Sequence, residues 1–271
     1  RVNTFKAKRE AVLEALAAAK IEAQPTAYCP TAIRINGKPA LQKLDVFTSG
    51  QVEVQDEGSQ LLALLTGAKR GEMVVDFCAG AGGKTLALGA MMRNTGRLYA
   101  FDTSGHRLDA IKPRLARSGL SNVYATQIAH ERDERVKRLS GKIDRVLVDA
   151  PCSGTGTLRR NPDIKWRQSP KAIAELNEIQ AAILKSAARM VKPGGRLVYA
   201  TCSLLKSENE VIAEKFSEAH PDFVQVNAKD KLEQAGVAQA ESLVTEAGHL
   251  RLWSHRHATD GFFAVAWEKK A

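Results

Sequence analysis

From Met73 onward, short apolar runs alternate with longer stretches in which apolar residues recur at helical spacing. The runs Met73–Phe77, Arg97–Phe101, Val123–Thr126, Ile143–Val148 and Leu197–Ala200 predict strands, and two more are expected near Val224 and over Phe262–Trp267. Helices are predicted at about Ser59–Leu65, Lys84–Met92, Ser104–Ser118 (in spite of Pro113) and Lys171–Val191, the last closed by Lys192-Pro193-Gly194-Gly195. Apolar strands alternating with helices predict an α/β fold with a doubly wound, mostly parallel sheet. Ligands of such sheets bind at the carboxyl ends of the strands. Ahead of this body lie a strand-like Arg1-Val2-Asn3, a helix over Lys6–Lys20 and the irregular stretch Pro25–Pro39, in which Ala32-Ile33-Arg34-Ile35 alternates like a strand. Residues 1–46 are therefore expected to form a small α/β appendage, and residues 47–271 the main domain.

Composition narrows the class. Of 271 residues, 44% are hydrophobic and 26% charged, which excludes a disordered tail, a fibrous repeat and a small disulfide scaffold. No apolar run is long enough to span a bilayer. The formal net charge of +10 favours a polyanionic partner, most often nucleic acid. Cys29, Cys78, Cys152 and Cys202 are far apart in sequence, without a Cys-x-x-Cys pair, so neither a metal site nor a disulfide framework is expected. Free thiols fit a reducing cytoplasm, and no membrane or partner subunit is called for, so a monomer is expected. Residue 1 is Arg and no signal-peptide pattern follows, so a fragment or a processed form is expected.

The glycine-rich segment Cys78-Ala79-Gly80-Ala81-Gly82-Gly83-Lys84-Thr85 follows the Met73–Phe77 run directly. A nucleotide-phosphate loop would need glycine where Cys78 stands, and a dinucleotide fingerprint a small residue, usually glycine, where Thr85 stands. The reading that remains is an S-adenosylmethionine site, in which small residues let the backbone approach the ligand. Asp102 ends the next strand about 20 residues past Gly82, where an acidic side chain holds ribose hydroxyls. Cys78, Ala79, Gly80, Ala81, Gly82, Gly83, Lys84, Asp102, Arg107 and Asp149 are the candidate cofactor-binding residues.

Two cysteines follow successive strands, in Asp149-Ala150-Pro151-Cys152 and Ala200-Thr201-Cys202-Ser203. A lone cysteine after a strand is usually a small buried hydrophobe, but two beside a cofactor loop suggest chemistry. C5 of cytosine is a poor nucleophile. A thiolate adding to C6 turns C5 into an enamine-like carbon that attacks an electrophilic methyl group, after which the C5 proton and the thiol must leave. Asp149 is suited to hold the pyrimidine's polar edge. Cys202 must be ionised to act, and Lys84 is the candidate positive neighbour.

Together, DFCAGAGGKT, VLVDAPCSGTGTLRRNPDIKW and LVYATCSLLKSENE resemble the Sun-type family of RNA cytosine-5 methyltransferases, and FTSGQVEVQDEGSQL and RLWSHRHATDGFF extend the resemblance over nearly the whole chain. The resemblance implies a Rossmann-type fold using S-adenosylmethionine. It implies that Cys202 attacks C6 and that Cys152 assists C5 deprotonation and release. Cytosine-5 DNA methyltransferases take their nucleophile from the Pro-Cys position instead, so Cys202 favours the RNA class. Within the family the chain most resembles bacterial enzymes acting on small-subunit (16S) ribosomal RNA. The alternatives are a transfer-RNA enzyme and a non-catalytic RNA-binding assembly factor. Three departures stand out: Gly80-Ala81 where relatives often have Ala-Pro, which implies a more flexible loop; Ile128-Ala129-His130-Glu131 where many carry an acidic residue near the adenine; and Trp253-Ser254-His255 where Trp-Pro-His is commoner.

Arg159, Arg160, Lys165, Trp166 and Arg167 follow the Pro-Cys motif and combine cations for the phosphate backbone with an aromatic for stacking, so they are the candidate RNA-binding residues. His255, Arg256 and His257 form either a second contact or a polar strand margin. Lys6, Lys8 and Arg9 read as a solvated helix face, though the appendage of residues 1–46 as a whole could help grip RNA. The target cytosine must be unpaired or flipped out to reach Cys202.

Overall fold

A computed structural model describes residues 1–271. The main sheet contains β3 (Met73–Asp76), β4 (Arg97–Asp102), β5 (Val123–Gln127), β6 (Ile143–Asp149), β7 (Val191–Thr201), β8 (Phe223–Val226), β9 (Leu250–Leu252) and β10 (Phe262–Lys269). Its order is β5-β4-β3-β6-β7-β10-β8, with β9 paired to β10. The first five are parallel to one another, whereas β10 runs antiparallel to β7, β8 and β9. The chain builds outward from β3 through β4 to β5, then returns to lay β6 on the other side of β3. The switch point between β3 and β6 is where a ligand crevice opens in such a sheet.

Both faces are covered, and the period of two along each strand decides which side chain goes where. Val74, Val198, Ala200, Ala264 and Ala266 belong to one apolar cluster, with Leu61, Leu62 and Leu65 of the helix Glu57–Thr66. Val75, Leu197, Tyr199, Phe263, Val265 and Trp267 belong to the other, with Leu184 and Ala187 of the helix Pro170–Met190. Burying a side chain such as Phe263 or Val265 contributes about 2–3 kcal/mol each. The Trp267 indole N–H is satisfied by Ser217 Oγ at 2.9 Å.

The expected architecture is therefore present, with local differences. The helix expected over Ser104–Ser118 is two helices, Gly105–Asp109 and Ile111–Ser118. Pro113 lacks an N–H and its ring clashes with the carbonyl one turn back, so it is accommodated in the first turn of the second. The Lys192-Pro193-Gly194-Gly195 turn lies within β7, where the register with β6 slips between Ile143 and Arg145. Two strands escaped the sequence reading. β1 (Ala23–Pro25) pairs antiparallel with β2 (Ile33–Ile35), and β9 is only three residues long. Val2 makes a single bridge to Val52 rather than a strand.

The N-terminal segment is fastened to the main body. Asn3 Nδ2 donates to the carbonyls of Gly50 at 2.9 Å and Ser118 at 3.0 Å. Glu57 accepts the backbone N–H groups of Tyr28 at 3.0 Å and Cys29 at 2.8 Å. No helix is long and apolar enough to cross a membrane.

Candidate active site

β3 ends at the buried Asp76, and the chain then turns through Cys78–Gly82 into the helix Gly83–Met91. Gly82 is left-handed, with φ of 81°, and a Cβ there would lie 2.8 Å from Ile111. Its role is to let the loop enter the helix against Ile111, and unlike its neighbours Ala81 and Gly83 it does not line the cavity. Asp102 pins the loop from the adjoining strand: Oδ2 accepts the Gly80 N–H at 2.8 Å, and Oδ1 accepts the Ser104 N–H at 2.8 Å. Each oxygen keeps a second acceptor site. Arg114 donates to the Ala81 carbonyl and braces the outer side of the loop.

A cavity of about 710 Å³ opens at the switch point. Cys78, Ala79, Gly80, Ala81, Gly83, Lys84, Asp102, Arg107, Asp149, Cys152 and Cys202 all line it. The volume falls in the range of small-molecule sites. Its other walls include Asp76 at the end of β3 and Ile128, His130 and Glu131 after β5, all within segments noted in the sequence, and Ile179 and Ile183 of the long helix, which the sequence did not single out. Asp76 Oδ2 accepts the Thr85 hydroxyl at 2.7 Å, while Oδ1 is buried without a partner. Burial pushes this carboxyl up to about 6.

β6 and β7 are neighbours with Asp149 opposite Ala200, so the loops leaving them deliver their cysteines side by side. Cys152 Sγ and Cys202 Sγ are 3.4 Å apart. The hydrogen bond from Cys152 lowers the Cys202 thiol below its usual value, against burial and Asp149, and Lys84 assists. The same bond, followed by burial, pushes Cys152 well above the thiol range. Of the two thiols Cys202 is thus the one that ionises more readily, with Cys152 holding its proton more tightly. Cys78 is raised well above by burial and then by the surrounding carboxylates, which leaves it a neutral wall. Lys84 Nζ bonds Asp149 Oδ2 at 2.6 Å, and its positive charge also favours ionisation of Cys202. Burial lowers Lys84, but Asp149 outweighs it and the net shift is upward.

A pH profile checks this assignment. Iodoacetamide should alkylate Cys202 with a midpoint below that of an ordinary thiol, because the thiolate is the reactive form. In Cys152→Ala the midpoint should rise, since the largest stabilising contact is gone; a midpoint that stays or falls contradicts the assignment.

The basic segment after Cys152 divides in two. Arg160 Nε bonds Asp260 at 3.1 and 2.8 Å, and Arg159 Nη2 reaches Asp260 at 3.2 Å and Asp56 at 3.4 Å. Asp260 is fully buried, so these arginines neutralise it and tie the Pro-Cys loop to the loop before β10. Where the loops touch, a Cβ on Gly156 would lie 2.1 Å from the Gly261 carbonyl oxygen. Both side chains remain about half exposed, so Arg159 and Arg160 combine this internal pairing with an open face. Lys165, Trp166 and Arg167 lie on the short helix Ile164–Arg167, and Trp166 is 79% exposed. The Lys165 ammonium lies 4.8 Å from the ring centroid, and most of the indole is open to solvent. Of the three basic C-terminal residues, His257 is buried, accepting the Trp253 N–H at 2.8 Å and contacting the Ser242 carbonyl at 3.1 Å, a structural role.

A parallel sheet with an antiparallel final hairpin, a glycine loop after β3 and an acidic residue ending β4 define a methyltransferase-type α/β fold. Residues 63–268 match the family described as 16S rRNA methyltransferase RsmB/F, and residues 1–42 match a ferredoxin-like domain of RsmF/B-like methyltransferases. The chain belongs to the RsmB/F family, as the Sun-type motifs implied. It is 36% identical over its whole length to the probable ribosomal RNA small subunit methyltransferase B of Bacillus subtilis, covering 59% of that protein. It is 38% identical to the ribosomal RNA small subunit methyltransferase B of Sodalis glossinidius, over 90% of this chain and 54% of that protein. The chain thus spans less than two thirds of the length of these relatives. A crystal structure of the protein designated PH0851 superposes with a TM-score of 0.88 at 35% identity, over 99% of this chain and 58% of that one. The fold is shared with NSun6 from Pyrococcus horikoshii, solved with SFG, at a TM-score of 0.83 and 20% identity over 100% of this chain and 90% of that one.

Proposed function

We propose that the chain transfers a methyl group from S-adenosylmethionine to C5 of a cytosine in 16S ribosomal RNA, through a covalent bond between Cys202 and C6. The observation that carries this reading is the pair of thiols 3.4 Å apart on the cavity wall beside the Lys84–Asp149 pair. The cavity fits the cofactor. The partnerless Asp76 oxygen is suited to an ammonium group and Asp102 to ribose hydroxyls, with the glycine loop leaving room between them. The bound cofactor supplies an electrophilic methyl group. The lining residues bind it in the trough beneath the thiols.

The protein's part in the reaction follows from the proton inventory. Cys202 attacks C6 as the thiolate, and electron density moves to C5 and N3. Asp149, steadied by Lys84, holds the polar edge of the base. Once C5 has taken the methyl group, Cys202 is a neutral thioether and no longer holds the Cys152 proton. Cys152 then loses that proton to the open cavity and takes the one on C5, and the carbon–sulfur bond to Cys202 breaks. The products are the methylated base, a regenerated thiolate and one released proton. Trp166 stacks on an unpaired base beside the target, with Lys165 and Arg167 against the phosphates. Residues 1–46 grip the RNA and residues 47–271 carry the transfer, in a cytoplasm that keeps both thiols reduced.

A labelled-methyl assay tests the reading. Unmodified 16S RNA should acquire label as 5-methylcytosine and transfer RNA should not. Label in transfer RNA alone, or in neither, contradicts the substrate. Trp166→Ala should weaken RNA binding by roughly tenfold, the scale of one lost stacking contact, without changing Tm.

A further inference from the structure

One buried carboxylate joins the two cysteine loops. Glu208 closes the turn Lys206–Glu208 after the Cys202 loop and has no exposed surface. Its Oε1 accepts the Ser153 backbone N–H at 2.8 Å and Gln180 Nε2 at 3.1 Å. Its Oε2 accepts the Ser153 hydroxyl at 2.5 Å and the Ser203 hydroxyl. Ser153 follows Cys152, and Ser203 follows Cys202. Gln180 also donates to the Pro151 carbonyl at 2.9 Å, on the other side of Cys152. The turn itself is held by the Tyr199 hydroxyl, which donates to the Glu208 carbonyl at 2.6 Å.

Four donors fill both oxygens, and all four are neutral. A buried carboxylate met only by neutral donors is costly to desolvate, and an apolar side chain of similar size would pack the same space at less cost. What an apolar side chain cannot do is hold the backbone and hydroxyl of one loop and the hydroxyl of the other at a single point. We propose that Glu208 is a positioning residue that sets the separation and orientation of the Cys152 and Cys202 thiols by clamping the residue that follows each. The inference builds on the proposed two-cysteine reaction. It concerns geometry: the carboxylate bonds the serines and touches neither sulfur.

Two substitutions separate the clamp from the charge. In Glu208→Gln the amide oxygen still accepts from Ser153 and Gln180, and the serine hydroxyls rotate to accept from the amide nitrogen. In Glu208→Ala the loops lose this anchor and keep their direct contacts, the Gly156 N–H on the Cys202 carbonyl at 2.8 Å and the Leu204 N–H on the Thr155 hydroxyl at 2.9 Å, neither of which holds Ser153. The first readout needs neither RNA nor cofactor. The protein is treated with diamide, whose N=N bond is reduced to a hydrazine as two thiols lose their protons and an electron pair and form one S–S bond. Linkage of Cys152 to Cys202 is followed by mass spectrometry of the joined peptides. Glu208→Ala should close this disulfide at least about tenfold more slowly than the parent, and Glu208→Gln within about threefold of it. In the methylation assay Glu208→Ala should lose kcat by a similar factor, with KM for RNA little changed, and Glu208→Gln should restore it. An alanine variant that closes at the parent's rate overturns the proposal. So does a glutamine variant as slow as alanine, or a loss confined to KM. If Glu208→Ala has no cooperative melt, the Ser153→Ala/Ser203→Ala double variant replaces it with the same expectations. A parent that shows the thiol result but methylates no RNA counts against the proposed function and in favour of the clamp.

Discussion

Cys202→Ala is expected to lower methyl transfer by at least about a thousandfold, because no other group in the cavity can make the bond to C6. Cys78 lines the same cavity, but burial holds it neutral. Cys152 keeps its proton so long as Cys202 is beside it, and its protonated sulfur is not a nucleophile. Serine at 202 should rescue little, since an alkoxide forms far less readily than a thiolate. Cofactor binding should persist, because Cys202 is one wall residue among many and the glycine loop is held from β4 by Asp102. Single-turnover transfer of labelled methyl, with cofactor affinity measured in parallel, separates the two effects. A variant that binds and still transfers at a tenth of the parent rate or better would remove Cys202 from the reaction.

The second large effect concerns stability. Asp76 is buried with one oxygen unpartnered, and its carboxyl titrates at about 6 in the folded chain against 3.8 for the free group. The folded state therefore holds the proton more tightly than the unfolded one. The favourable contribution is full below pH about 4 and is lost as pH rises through about 6, leaving the charged group to cost roughly 3 kcal/mol at pH 7.5. Asp76→Asn keeps an acceptor for the Thr85 hydroxyl and removes the charge. It should unfold at a higher temperature than the parent at pH 7.5, with the difference vanishing near pH 4. It should also bind S-adenosylmethionine about tenfold less tightly, because a cationic group loses its anion in a sheltered site. The cost in the empty protein is a preparation for the ligand. Thermal melts across that pH range decide the matter. A gain independent of pH, or a variant less stable at pH 7.5, contradicts the account.

The chain announces some of this and conceals the rest, for physical reasons. The parallel strands were legible because both faces of the sheet are covered, which makes Met73–Phe77 and Leu197–Ala200 continuous apolar runs. β1 and β9 were not, since three residues carry too little periodicity to read. The two cysteines could be placed near each other because their strands end at motifs of one chemistry, although their 3.4 Å contact depends on register, which no linear pattern encodes. The pairing of Arg159 and Arg160 with a buried Asp260 a hundred residues away was not legible, because a basic cluster reads the same in sequence whatever carboxylate it also meets. Glu208 sat inside a quoted motif, LVYATCSLLKSENE, with nothing local to mark it as the anchor of Ser153. Asp76 was likewise visible as the acid before the glycine loop, but its missing partner appears only once the cavity is built.

The central claim is that Cys202 bonds the cytosine and Cys152 frees it. The direct test is a denaturing gel of Cys152→Ala protein incubated with S-adenosylmethionine and unmodified 16S RNA. A covalent protein–RNA band should accumulate, because the methylated adduct keeps its C5 proton and cannot eliminate. The band should be absent when Cys202 is also replaced. A band that survives the double replacement, or Cys152→Ala protein that turns over without accumulating one, would contradict the account.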